Sequence, residues 1–329
     1  MNKYDLSWGN SVCVREAFLN TYHGNPLVFA KEELATFDYP NHEGNPELVE
    51  ATRKVIERQT GLSYKHVFLV NGATGGVVIA LRTYAQMGLT MCLTREAPFY
   101  VRYPRMIAAS GLKHIQHKKY GLEDELEVHL VDLPSNPLGF MTNIYPPEKH
   151  DSSVIIDGVY LNNVYAPKLY KFIPRHDVMI GSYSKLLGIN GIRIGWLATN
   201  DDLLAERSRD LVNSEYCGLS QASTDILKHT LQGFNWDIFE TYARFKLDCN
   251  REEWSKLERF FENKPTSEVG MFQYSPIDKK CEDLLIKANI SWTKGSALGT
   301  DDSFGRFNLG AKNEVIEQAV KAMLKADSI

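Results

Sequence analysis

The stretch GSYSKLLGINGIRIGW, Gly181 to Trp196, decides how this chain is read. It closes one apolar β run, DVMIGSYS (177–184), and opens another, IRIGWLAT (192–199). One lysine and one arginine pass through a segment otherwise made of apolar residues, four glycines, two serines and a few neutral neighbours. A charge is costly to bury unless it is paired or neutralised. Lys185 therefore either reaches solvent or is placed for chemistry. A buried amine of depressed basicity is a nucleophile for carbonyls and a general base. Arg193 stands among glycines that let chain segments approach closely. With the hydroxyls of Ser182 and Ser184 it makes a phosphate clamp. Taken singly, a surface lysine and a structural arginine explain the stretch as well.

Working outward, the pattern alternates. PELVEATRKVIERQTG (46–61) has helical spacing and stops at Gly61. KHVFLVN is a short β run, ATGGVVIALRTYAQMG a helix that starts at once, LTMCLT a strand, and FYVRYPRMIAASG (99–111) a helix. LKHIQH, LEVHLVDL, SVIIDGVY and DVMIGSYS follow as β runs. Short apolar strands separated by helices predict an α/β fold: a mainly parallel central sheet with helices on both faces. From about residue 201 the chain turns helical, through 201–216, 220–233 and 235–263. GMFQYSPI, ISWTKGSAL (290–298) and FGRFNLG then read as strands before the amphipathic KNEVIEQAVKAMLKA. That is a smaller α+β domain. The expected division is an N-terminal arm (1–40) packing with the small domain or a partner subunit, a large domain (41–205), linking helices (206–235) and the small domain (236–329).

Ligands of such sheets bind in loops at the carboxyl ends of strands. NGATGG (71–76) lies between a strand and a helix, where free N–H groups and small residues suit an anion or simply a tight turn. SNPLG (135–139) displays Asn136 between prolines. Asp157 ends the apolar run VIID, with Tyr160 three residues on, and a carboxylate there needs a partner.

As an ordered set these segments resemble the class I/II aminotransferases of the fold-type-I pyridoxal-phosphate enzymes. YPNHEG (39–44), NGATGG, PFY (98–100), SNPLG, DGVY (157–160), SYSKLLGINGIRIGW, KGSALG (294–299) and GRFNLG (305–310) carry the resemblance across nearly the whole chain. The short length and the C-terminal end are similar to the small histidinol-phosphate-aminotransferase-like and threonine-phosphate-decarboxylase-like branches. The resemblance implies pyridoxal 5'-phosphate held by Lys185 as a Schiff base, with the freed lysine moving the proton at the substrate Cα. It implies Asp157 at the pyridine nitrogen, Tyr160 and Asn136 at the phenolic oxygen, and Tyr100 stacked on the ring. Ser182, Ser184, Arg193 and the Gly72-Ala73-Thr74 turn would hold the phosphate, joined by Tyr39 from a neighbouring subunit. Arg306 would clamp the substrate α-carboxylate bidentately, with Asn136 as a second substrate-binding residue. The implied reaction moves an amino group between an amino acid and a 2-keto acid, in a homodimer with shared active sites and no metal. No second arginine stands out for an acidic substrate side chain; Arg15, Arg102 and Arg105 are candidates. Trp8, Tyr22, Phe99 and Tyr100 are candidates for a pocket for a long or aromatic one.

These residues serve the cofactor rather than one reaction. Decarboxylation, elimination or oxidation on the same scaffold is the alternative. A non-catalytic binding module is a second, which the intact Lys185, Asp157, Arg193 and Arg306 set argues against. A net charge of −4 over 329 residues gives no basic excess for nucleic acid or an anionic membrane. No apolar run suits a signal peptide or a membrane span. Five scattered cysteines without a CxxC pair fit reduced thiols, and the expected location is cytoplasmic.

Overall fold

The computed structural model describes residues 4–24, 39–117, 127–139, 153–167, 173, 176–261 and 269–328. The chain begins β1 (Tyr4–Asp5), α1 (Val12–Thr21), α2 (Pro46–Thr60), β2 (His66–Asn71), α3 (Gly72–Gln86), β3 (Met91–Arg95), α4 (Tyr103–Ala109) and β4 (Lys113–His117). It continues β5 (Glu127–Asp132), β6 (Ser153–Asp157), β7 (Val178–Ser182), α5 (Tyr183–Leu186), β8 (Ile194–Thr199), α6 (Asp202–Tyr216), α7 (Gln221–Leu231) and α8 (Trp236–Ser255). It closes with β9 (Phe272–Pro276), α9 (Lys279–Lys287), β10 (Ile290–Ser291), β11 (Thr293–Lys294), β12 (Phe304–Asn308) and α10 (Asn313–Asp327).

Among the described residues seven strands form the central sheet, in the order β2-β8-β7-β6-β5-β3-β4. Only β8 runs against its neighbours; the others are parallel. Strand alternation sends successive side chains to two cores. Leu69, Ile156, Met179 and Trp196 join the core beneath α1, α2 and α8. Phe68, Ile155, Ile180 and Leu197 join the one beneath α3, α4 and α6. Because both faces are covered, these strands read as continuous apolar runs, as the sequence suggested. A third core gathers Leu6, Trp254, Phe307 and Met323 around the antiparallel sheet β11-β12-β9.

Local signals explain the element ends. Asn45 caps α2, its side chain accepting from the Leu48 N–H at 3.1 Å. Pro46 fits the first helical position, and Gly61 ends the helix with φ 70°. The helix expected over 235–263 ends at Ser255, with a separate 3-10 turn at Glu258–Phe260, and two more readings need correction. The helix expected over 99–111 spans only Tyr103–Ala109, because Pro104 tolerates a first helical turn but not the middle of a helix. Tyr100 to Arg102 are thereby left in a turn. The single strand expected over 290–298 is two short ones, β10 pairing with β1 and β11 with β12, followed by a 3-10 turn at Gly295–Leu298.

The topology sets the site. The carboxyl ends of β2, β5, β6 and β7 lie along one edge of the sheet, with Asp132 directly beside Asp157 in register. The loops that follow carry Asn136, Tyr160 and Lys185.

Candidate active site

Strand β7 ends at Ser182, whose hydroxyl accepts from the Ser184 N–H at 3.1 Å and donates to the Ile194 carbonyl at 3.2 Å. This cap starts the single turn α5 and sets Lys185 into a cleft of about 420 Å³. Asp132, Asp157, Asn136, Arg193 and Arg306 line the same cleft, as do Ala73, Thr74, Tyr100, Tyr160, Ser182 and Ser184. Gly72 sits just behind the lining with φ +65°; a Cβ there would lie 2.5 Å from Arg193 Nη2. Arg193 is itself in the left-handed region and donates from Nη1 to the Asn190 carbonyl at 2.9 Å and the Ser184 hydroxyl at 3.3 Å. Tyr39 does not line this cleft and is 89% exposed.

Lys185 Nζ donates to the carbonyl of Gly9. Burial, then the nearby charges of Arg306 and Arg193, push its pKa down to about 8. Asp157 Oδ2 accepts from the Tyr103 hydroxyl at 2.8 Å, and Oδ1 from the Val159 N–H at 3.3 Å. Burial raises its pKa to about 6, although the Tyr103 hydrogen bond works the other way. Burial raises Asp132 as well, opposed chiefly by Arg95. Arg306 is 7% exposed. Its Nη1 donates to Asn136 Oδ1 at 2.9 Å, and Nη2 to the Ser7 carbonyl and to Thr293 Oγ1, each at 3.1 Å. The guanidinium lies 4.2 Å from the ring centre of Phe272, a cation–π contact that fixes its plane.

Sequence reasoning missed several contributors. Tyr103 lies three residues after Tyr100, a spacing that could have paired them; the two rings meet edge to face at 5.4 Å. Asp132 ends an apolar run just as Asp157 does. Its Oδ2 accepts from the Asn136 N–H at 2.8 Å and so shapes the loop presenting Asn136. The carbonyls of Ser7 and Gly9 are backbone groups, invisible to residue types. Of the pocket aromatics, only Tyr100 lines the cleft. Trp8 is 69% exposed, Tyr22 stacks on Phe18, and Phe99 packs on His114. Of the three spare arginines, only Arg102 lines it.

The family model for aminotransferase class I and II matches residues 1–323. The chain belongs to the class I and II aminotransferase family. It is 24% identical over 247 residues to tryptophan aminotransferase-related protein 2 of Oryza sativa subsp. japonica, covering 66% of this chain and 48% of that protein. It is 23% identical over 207 residues to tyrosine aminotransferase of Dictyostelium discoideum, covering 54% and 49%. The chain thus spans about half the length of these curated relatives. The solved aspartate aminotransferase of Thermotoga maritima superposes with a TM-score of 0.76 at 16% identity, over 99% of this chain and 92% of that one. The fold is therefore fold-type-I.

Class I and II aminotransferases work with pyridoxal 5'-phosphate, and the cleft fits that group. Arg193 and the Gly72 turn suit a phosphate. Asp157 has no cationic partner among its hydrogen-bond donors, as a protonated ring nitrogen would require. Among the described residues Lys185 has no carboxylate partner, and its pKa is lowered, as imine chemistry requires. Among the described residues no His, Cys, Asp and Glu cluster could hold a metal ion, and no helix is long and apolar enough to cross a membrane.

Proposed function

We propose that this aminotransferase-family chain moves an amino group between an amino acid and a 2-keto acid, acting as a cytoplasmic homodimer. The observation that carries the reading is one cleft lined by a buried lysine of lowered pKa, a carboxylate whose hydrogen-bond donors among the described residues are neutral, and the anchored arginines Arg193 and Arg306. Bound there, pyridoxal phosphate supplies an electron sink for negative charge at the substrate Cα.

The protein's own residues do the rest. Arg193, Ser182, Ser184 and the Gly72-Ala73-Thr74 turn hold the phosphate. The Ser182 hydroxyl already caps α5, so it acts mainly by placing Ser184. Asp157, kept anionic by the Tyr103 hydroxyl, holds the proton on the ring nitrogen. Tyr100 covers the ring face. Asn136 gives Oδ1 to Arg306, which leaves its amide N–H groups for the phenolic oxygen beside Tyr160. Arg306, fixed on Phe272, grips the substrate α-carboxylate bidentately. Lys185 Nζ then takes the Cα proton. A pKa of about 8 leaves about a tenth of the free amine neutral at pH 7, against well under a thousandth for an ordinary lysine.

The test is the visible spectrum of purified protein loaded with pyridoxal phosphate, with amino acids added singly and no keto acid. Conversion to the amine form of the cofactor, reversed by a keto acid and lost in Lys185→Ala, is the expected result. Release of carbon dioxide, ammonia or peroxide without that conversion would establish the alternative chemistry instead.

A further inference from the structure

We infer that Asp132 is a positioning residue for the substrate clamp: it locks the loop whose Asn136 registers Arg306 against the central sheet. The inference rests on the transaminase reading and adds to it a residue that touches neither substrate nor cofactor.

The clamp and the reacting groups belong to different parts of the fold. Asp157 ends β6 and Lys185 follows β7, both in the central sheet, whereas Arg306 lies on β12 of the small antiparallel sheet. Three of its supports come from that sheet or from the N-terminal segment. Phe272 of β9 lies under the guanidinium at 4.2 Å, and Thr293 Oγ1 of β11 and the Ser7 carbonyl accept from Nη2 at 3.1 Å each. Among the described residues Asn136 is the hydrogen-bond partner that Arg306 finds on the central-sheet side, at 2.9 Å. This contact sets where the substrate α-carboxylate sits relative to Lys185, and errors of about 1 Å in such placement are costly to turnover.

Asn136 must itself be held, in a loop where Pro134 and Pro137 offer no N–H. Asp132 supplies the hold. Its Oδ2 accepts from the Asn136 N–H at 2.8 Å and from the Ser135 hydroxyl at 3.2 Å. Arg95 Nη1 donates to that same hydroxyl at 3.2 Å, and the Gly139 N–H closes the loop on the Ser135 carbonyl at 2.8 Å. A continuous polar chain thus runs from Arg95 through Ser135, Asp132 and Asn136 to Arg306.

A turn alone does not call for a carboxylate. Asp132 is 5% exposed and stands in register beside Asp157. In-register neighbours on adjacent strands share a face of the sheet, so a second buried carboxylate is set next to the one assigned to the ring nitrogen. Burial and like-charge repulsion both oppose this arrangement. A serine or an asparagine would accept the same N–H without that cost. An ionised acceptor holds an N–H roughly twice as strongly as a neutral one. The charge therefore gives the Asn136 loop a rigidity that a plain turn does not need and a clamp does.

The experiment reads the grip directly. Calorimetry on the cofactor-loaded protein compares pentanoate with pentanamide, the same shape with and without the charge that Arg306 grips. Wild-type protein is expected to prefer pentanoate roughly 10-fold or more. Asp132→Ala should cut that preference to about twofold, and Asp132→Asn, which keeps a neutral acceptor, should restore part of it. The affinity of Asp132→Ala for pyridoxal phosphate, held at its other end by Arg193, should stay within about threefold. Its kcat/KM in the half-reaction should fall roughly 10- to 100-fold. Hydrogen exchange on the wild-type protein needs no variant to fold: the Asn136 amide should exchange as slowly as the amides of β5. Exchange at the rate of an open loop would overturn the inference. So would equal weakening of pentanoate and pentanamide, which would make Asp132 a residue that merely holds the fold, or an unchanged preference in Asp132→Ala. No preference in the wild type would remove the clamp itself and the inference with it. The expected binding pattern without any conversion of the cofactor by amino acids would sink the transaminase reading while leaving the role of Asp132 standing.

Discussion

Asp157 shows what the site costs the fold. Its pKa is raised from 3.8 to about 6 in the folded protein. Between those values the native state holds more protons than the unfolded chain, so stability falls as pH rises through that window. At pH 7 the cost is fully present, on the order of 3 kcal/mol for a carboxylate this far displaced. Asp157→Asn in the cofactor-free protein should therefore raise stability at pH 7 by roughly 1–3 kcal/mol. Near pH 4 it should change little, and the affinity for pyridoxal phosphate should fall. Denaturant melts at the two pH values check this; a loss of stability at pH 7 would mean that Asp157 is a structural anchor. Lys185 and Asp157 were legible in the sequence because a charge closing an apolar run contradicts simple burial. Tyr103 was not, since a tyrosine inside an amphipathic stretch reads as packing until its hydroxyl is seen to meet a carboxylate.

Among the elements, the junction of β2 and α3 is the most constrained. Gly72 has φ +65° and leaves no room for a methyl beside Arg193 Nη2. A Cβ added to Gly195 on β8 would lie 2.6–2.8 Å from backbone atoms of Gly181, Gly72 and Ala73, so the strand and the turn that backs the clamp leave no room for a side chain there. Gly72→Ala should displace Arg193 and weaken pyridoxal phosphate binding about tenfold or more, with a stability loss of about 1–2 kcal/mol from the left-handed backbone. A cofactor titration beside a melt checks both parts; unaltered affinity would detach Arg193 from the phosphate. The alternation of strand and helix was legible from periodicity alone. The extent of α4 and the splitting of 290–298 were not. Both depend on what each segment pairs with, and pairing partners lie far away in sequence.

At the scale of the whole molecule, Tyr39 is an aromatic that the rest of this chain leaves 89% exposed. If each Tyr39 completes the other subunit's phosphate site, Tyr39→Ala and Lys185→Ala are complementary defects. Mixing the two under exchange conditions at limiting cofactor should create mixed dimers with one intact site, approaching about a quarter of wild-type sites by random pairing. Activity equal to the sum of the separate variants would refute sharing. The cleft also ties together distant parts of the chain. Arg306 reaches the Ser7 carbonyl across 299 residues of sequence, Asn308 reaches Trp8 across 300, and Lys185 holds Gly9 across 176. During synthesis the segment around residue 9 emerges early, and most of its anchors do not exist until β12 has been made. At translation speeds it waits on the order of 15 to 60 seconds, while the central sheet can already form behind it. The cleft is thus among the last features to close, and a ribosome that stops short of Arg306 leaves a sheet without a working site.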